Sequence, residues 1–186
     1  MHHKTPLIKG MFINSHIDRL RREKGEAAVY ELKISIGRYE GYNNFDDYPV
    51  REEIKVIETV LDILSDGKVD PVHRSFEAGR LHFRDFAETV FGKMTLGLAT
   101  KTPEGFRRLM QMVNYIGQYV FKHTNFTSKV VDEHSVTITM ENNDYPIDHF
   151  KGLFFEWAHY WGLKNPKVSA YIIAPNKFEY TVMWEK

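Results

Sequence analysis

The chain contains no cysteine. That absence removes disulfides, thiolate zinc sites, thiol nucleophiles and iron–sulfur ligation, and it accords with a reducing compartment such as the cytoplasm. Net charge is missing too: 25 Lys and Arg balance 25 Asp and Glu, so no overall field draws the protein to nucleic acid or an anionic bilayer. No run approaches the ~20 apolar residues of a membrane-crossing helix, and Met1-His2-His3-Lys4-Thr5-Pro6 has no apolar stretch of signal-peptide length. The twelve glycines form neither Gly-x-Gly-x-x-Gly nor Gly-x-x-x-x-Gly-Lys, and neither Gly-x-Ser-x-Gly nor His-Glu-x-x-His occurs. The expectation is a cytoplasmic protein with no membrane span and no nucleic-acid partner. An enzyme is disfavoured.

Apolar and aromatic material is plentiful, with thirteen Phe and ten Tyr among 186 residues, enough for a chain of this size to bury ~70% of its unfolded surface. Leu7 to Ile13 reads as an apolar opening segment, with Asn14 or Ser15 capping a helix that ends at Gly25. The type of Glu26 to Ile36 stays open, and Arg38 to Tyr48 mixes turn residues with aromatics as an ordered loop would. Helical spacing then governs three stretches. Pro49 to Ser65 carries Ile54, Ile57, Val60, Leu61 and Leu64 on one face, with Glu52 and Glu53 at its favourable N-terminal end. A helix opened by Asp70-Pro71 runs to Met94, with Gly79 and Gly92 as candidate breaks, and Thr102-Pro103-Glu104 starts another that ends near His123.

The period then changes to two. Val136, Ile138 and Met140 alternate with Ser135, Thr137 and Thr139, and Phe126 to Val131 pairs with them as a hairpin. A helix from Asp148 to Gly162 follows, and Lys167 to Ile173 with Phe178 to Trp184 forms a second hairpin. The predicted fold class is α+β: a single domain over residues 1–186, helical through about 124 and closed from about 125 by a ββαββ unit with a four-stranded antiparallel sheet.

Few residues announce chemistry. Asp85 lies three residues after His82, His73 and Glu77 are four apart, and Glu156-x-x-His159 has di-iron spacing, but only one copy of that pair occurs where a di-iron bundle needs two. Structural or surface roles are therefore the favoured reading of these histidines, with no metal expected; a His82, Asp85 and Glu88 cluster is the best basis for an enzyme. The basic run Arg19, Arg21, Arg22 and Lys24 fits the end of a helix dipole. Aromatics such as Phe91, Tyr115, Tyr119, Trp157 and Trp161 exceed what a core needs, although packing explains most of them.

Several strings carry a resemblance: Ile8-Lys9-Gly10-Met11-Phe12-Ile13-Asn14, Tyr48-Pro49, Thr124-Asn125-Phe126-Thr127, Asn143-Asp144-Tyr145-Pro146 and Tyr180-x-x-x-Trp184. Together they resemble an uncharacterised family of myxobacteria and other delta-proteobacteria. That family is similar in architecture to haem nitric-oxide/oxygen sensor (H-NOX-like) domains, vinyl-reductase-type domains and Bet-three-like subunits of vesicle-tethering complexes. The resemblance implies an α+β domain enclosing an apolar pocket that relatives use for haem, small hydrophobic molecules or an acyl chain. The sensors' Tyr-x-Ser-x-Arg signature, which grips haem propionates, is missing here, so haem is disfavoured as a cofactor even though His123 could offer an axial ligand. The cysteine motif of the vinyl-reductase type is missing as well.

The expected function is that of a non-catalytic small-molecule-binding or sensory domain. Its ligand, a hydrophobic small molecule or a partner protein's apolar side chain, would sit between the Thr102 to His123 helix, the Asp148 to Gly162 helix and the sheet. Tyr115, Tyr119, Trp157 and Trp161 are the candidate ligand-binding residues. An interaction adaptor or homodimer without small ligand is the alternative, and a haem-based sensor the further one.

Overall fold

The computed structural model describes residues 4–186. Strand β1 (Leu7–Lys9) leads directly into helix α1 (Gly10–Lys24), followed by α2 (Glu26–Ile36), strand β2 (Asp47–Pro49) and α3 (Val50–Leu64). Helix α1 starts four residues before the expected Asn14 cap. Its first amides are satisfied from the tertiary structure instead, Gly10 donating to the Asp46 carbonyl and Met11 to that of Asn44. Asn14, set free from capping, donates to the Tyr42 carbonyl and to the Asn44 side chain. The segment left open by its pattern is helical, and Gly37 closes it in the left-handed conformation (φ 69°).

Helix α4 (Arg74–Glu88) passes through Gly79 unbroken. The break falls at Thr89, whose hydroxyl accepts from the Gly92 amide and caps α5 (Val90–Leu96). The expected helix after Thr102 is two: α6 (Pro103–Gln111), capped by Thr102 through the Gly105 amide, and α7 (Val113–Val120), with Met112 between them. The chain becomes extended at Phe121 because β3 (Phe121–Lys122) pairs with β1, which also pairs with β2. Residues far apart in sequence make this small sheet, and no local period marks it.

The C-terminal third follows its pattern. Strands β4 (Asn125–Asp132) and β5 (Ser135–Glu141), helix α8 (Ile147–Tyr160), and strands β6 (Lys164–Ala174) and β7 (Lys177–Glu185) form a four-stranded antiparallel sheet of order β4-β5-β7-β6. Val136 faces Val182 and Ile138 faces Tyr180 in register, all four buried, whereas Thr137 and Thr181 point to the opposite face. One face is thus packed and the other polar. Helix α8 lies between the inner face and α4. Among the described residues, no helix is long and apolar enough to cross a membrane.

Candidate functional site

Helices α4 and α8 approach unusually closely because each presents a glycine to the other. A Cβ on Gly79 would overlap the His149 carbonyl, and a Cβ on Gly152 would overlap that of Phe76. The close crossing sets two buried imidazoles side by side, His82 of α4 and His149 of α8, with Nδ1 of the first 3.0 Å from Nε2 of the second.

Two further helices complete a polar cluster inside an otherwise apolar core. His16 of α1 donates from Nε2 to Glu53 Oε1 of α3 (2.8 Å) and from Nδ1 to Asp85 Oδ2 of α4 (2.6 Å). The same Glu53 oxygen lies 3.4 Å from His82 Nδ1. Asp85 also accepts from the Arg19 guanidinium, whose other arms reach Glu23 and Glu88. His16, Glu53 and His149 have no exposed surface and His82 and Asp85 almost none. The Tyr145 hydroxyl is buried beside the Glu53 carboxylate, and among the described residues neither Glu53 Oε2 nor His149 Nδ1 has a hydrogen-bond partner. Potential ligand atoms of His16, Glu53 and His82 all fall within 4.8 Å of one another, so these three could hold a metal ion.

Burial and neighbours set distinct protonation states here. Burial pulls the His16 imidazole toward neutrality, but hydrogen bonds and charges of Asp85 and Glu53 outweigh it and hold its pKa up at about 9. Burial, reinforced by the neighbouring imidazoles, presses His149 down to about 3. Burial also lowers His82, with Glu53 pulling the other way. Burial favours neutral Glu53, yet the His82 and His16 imidazoles around it keep its carboxyl below the usual range. The arrangement sets one imidazole held toward its cationic form between Glu53 and Asp85, with two imidazoles that burial presses toward neutrality alongside.

His82 has a second face. Its ring lines an interior cavity of about 50 Å³ whose other walls are apolar, among them Phe86, Ile116, Phe121, Leu153 and Trp157 from α4, α7, β3 and α8. Of the residues singled out by sequence, Trp157 is on this wall, stacked on Phe83. Trp161 is buried one turn further on, its indole donating to the Thr102 carbonyl. Tyr119 is half exposed and stacks on Phe91, and Tyr115 is exposed. His123 sits in a surface hollow with Lys9 and Asp47, away from the interior. His82 and Asp85 are joined only through His16, which bonds Asp85 and packs edge-on against His82, and Glu88 stays at the surface with Arg19 and Arg22.

A family model described as a protein of unknown function (DUF2378) matches residues 4–185. The chain belongs to the DUF2378 family. Curated proteins offer no match. Solved structures do: an oxygen-binding H-NOX domain related to soluble guanylate cyclases, in its oxygen complex, is 15% identical with a TM-score of 0.67, covering 96% of both chains. A structure described as modulating haem redox potential through protein-induced porphyrin distortion is 16% identical with a TM-score of 0.70, again covering 96% of both. A mutant H-NOX from T. Tengcongensis is 14% identical with a TM-score of 0.64 over 96% of this chain and 98% of that one. This DUF2378 chain therefore has the H-NOX-like fold.

The fold raises haem as a guest, and the residues of this interior do not fit it. A cavity of about 50 Å³ is far below the ~300–1,000 Å³ of pockets for ligands of drug size. Phe83, Phe121, Phe126, Phe150, Phe154 and Trp157 fill the space around it, and among the described residues no Arg or Lys lines it and His82, the one ionisable wall residue, turns Nδ1 to Glu53 and His149.

Proposed function

We propose that the chain acts as a non-catalytic sensory or regulatory domain that takes a small apolar molecule into the cavity between α4, α7, α8 and the sheet. The observation that carries this reading is the position of His82, one face on an apolar cavity and the other bonded into a cluster that ties four helices together. A guest pressing on that ring has a direct route to the α1, α3 and α8 junction.

Size limits the guest. An apolar cavity of ~150 Å³ accepts benzene or xenon, so about 50 Å³ suits a molecule of two or three heavy atoms. At a ceiling of ~1.5 kcal/mol per heavy atom, three atoms give about 4.5 kcal/mol, near-millimolar affinity. A tighter ligand would have to push Leu153 or Ile116 aside. In this reading Trp157 touches the guest, Trp161 anchors the end of α8, and Tyr115 and Tyr119 form the outer side of α7. The whole chain works as one unit in the cytoplasm, the helical part through about residue 124 with the sheet-containing part from 125.

Xenon-pressurised crystals and Trp fluorescence test the cavity. One xenon beside Trp157 and Ile116, abolished by Ile116→Phe in a chain that still melts cooperatively, is the expected result. No xenon density, together with native mass spectra showing no bound molecule after expression, would overturn it. A second reading has its own observation: β6 is an edge strand with Tyr171, Ile172 and Ile173 exposed in a row, a surface suited to pairing with another copy. Light scattering decides that reading, since a monomer at all concentrations removes it.

A further inference from the structure

We propose that His16, Glu53 and His82 form a binding site for one divalent first-row transition metal ion, its remaining coordination positions left to water. This goes beyond the ligand reading and does not rest on it. The three residues come from three helices and converge almost wholly out of contact with solvent. Bonds of ~2.0–2.1 Å to nitrogen or oxygen at tetrahedral angles set donor atoms about 3.3 Å apart. The distances here are 2.8 Å from His16 Nε2 to Glu53 Oε1 and 3.4 Å from Glu53 Oε1 to His82 Nδ1, with all three ligand atoms within 4.8 Å of one another.

The surroundings are those of a ligand set rather than of a saturated polar network. Among the described residues Glu53 Oε2 is buried without a hydrogen-bond partner, a cost of ~1–3 kcal/mol for a purely structural cluster, and more for a charged group. His16 is oriented from behind: its Nδ1 donates to Asp85, which the Arg19 guanidinium holds in turn. A carboxylate behind a histidine fixes the ring and raises its basicity toward a metal. Two imidazoles and one carboxylate suit zinc or ferrous iron, and the nitrogen donors disfavour calcium and magnesium. A surface hollow of about 210 Å³ lined by Asp18, Arg22, Asp85 and Glu88 reaches Asp85, the carboxylate behind His16.

The test uses the full chain, stripped with a chelator, with His2 and His3 kept in every variant so that terminal binding cancels. Zinc alone and cobalt alone are added. One zinc per chain, a raised melting temperature and a cobalt X-ray absorption spectrum with two imidazole shells are expected. His82→Gln and Glu53→Gln should each weaken zinc binding at least 100-fold, and Asp85→Asn, which touches no metal, by ~10–100-fold. A cooperatively folded wild-type chain that binds no more zinc than His82→Gln overturns the proposal. Should the variants fail to fold, the cobalt spectrum of the wild type decides, since a shell without imidazole also overturns it. A dry cavity leaves this result untouched, and a chain that binds no zinc leaves the xenon experiment untouched.

Discussion

Two glutamates meet helix α4 from different sides, and their contrast is instructive. Glu156 of α8 has both oxygens engaged, Oε2 by Arg80 and Oε1 by Arg84, each at 2.7 Å near the rim. Glu53 of α3 is sealed in the core, shares one oxygen between two imidazoles and leaves the other without a partner. The first is a clamp with every valence used, placed where water screens it. The second is a cluster with valences to spare, placed where each costs most. Similar residue types thus do different work, and the difference lies in saturation and depth.

Breaking the deep site should have the largest effect. Glu53→Ala leaves the His16 cation half-paired in the core, and a loss of about 3–5 kcal/mol in urea unfolding is expected. Replacing His16 and Glu53 together by leucine should cost less than that single change, because the cation leaves with its Glu53 partner and Asp85 keeps the Arg19 guanidinium. Gly152→Val comes next, near 3 kcal/mol at the upper end for overpacking, because the Phe76 carbonyl that it meets is backbone and cannot move aside. Glu156→Ala should cost about 1 kcal/mol, and salt should shrink that difference, as for a partly exposed ion pair.

The pH dependence sharpens the contrast, for the signs are opposite. The Glu156 carboxyl, which burial favours in the neutral form but the Arg84 and Arg80 guanidiniums hold below its ordinary 4.5, contributes stability above that pH. Its contribution fades as the pH falls through the depressed folded value. In the metal-free chain His16, faced by Asp85 and Glu53 with Arg19 and His82 nearby, contributes fully below its ordinary 6.5 and loses that contribution as the pH rises through about 9. Thermal melts of Glu156→Ala and His16→Gln against pH should therefore converge with the parent at opposite ends of the range. A common direction would show that one of the two assignments is mistaken.

Much of the fold was legible because its patterns are local. Val136, Ile138 and Met140 announce a half-buried strand from their own spacing, and Phe150, Leu153, Phe154 and Trp157 announce the helix that covers it. The site was far less legible. Glu53 stands in the first turn of α3, where a helix dipole explains an acid, although its steps to Ile57 and Val60 put it on the buried face. His16 follows Phe12 and precedes Leu20 at intervals of four, a polar residue on an apolar stripe. That interruption of the stripe was the one available signal, and His149 beside Phe150 carried it too. The His82 and Asp85 spacing was visible, but its partners were not.

The sequence by itself determined the order of helices, the late change to strands and the exclusion of thiol chemistry, since each depends on residue type or on neighbours a few positions away. Only the tertiary structure decided that β1 pairs with β3, that two glycines draw α4 onto α8, and that His16, Glu53 and His82 converge in the core with His149 beside His82. Such a constellation joins residues separated by dozens of positions on four helices. No local period encodes it, because the packing of the helices brings the four together.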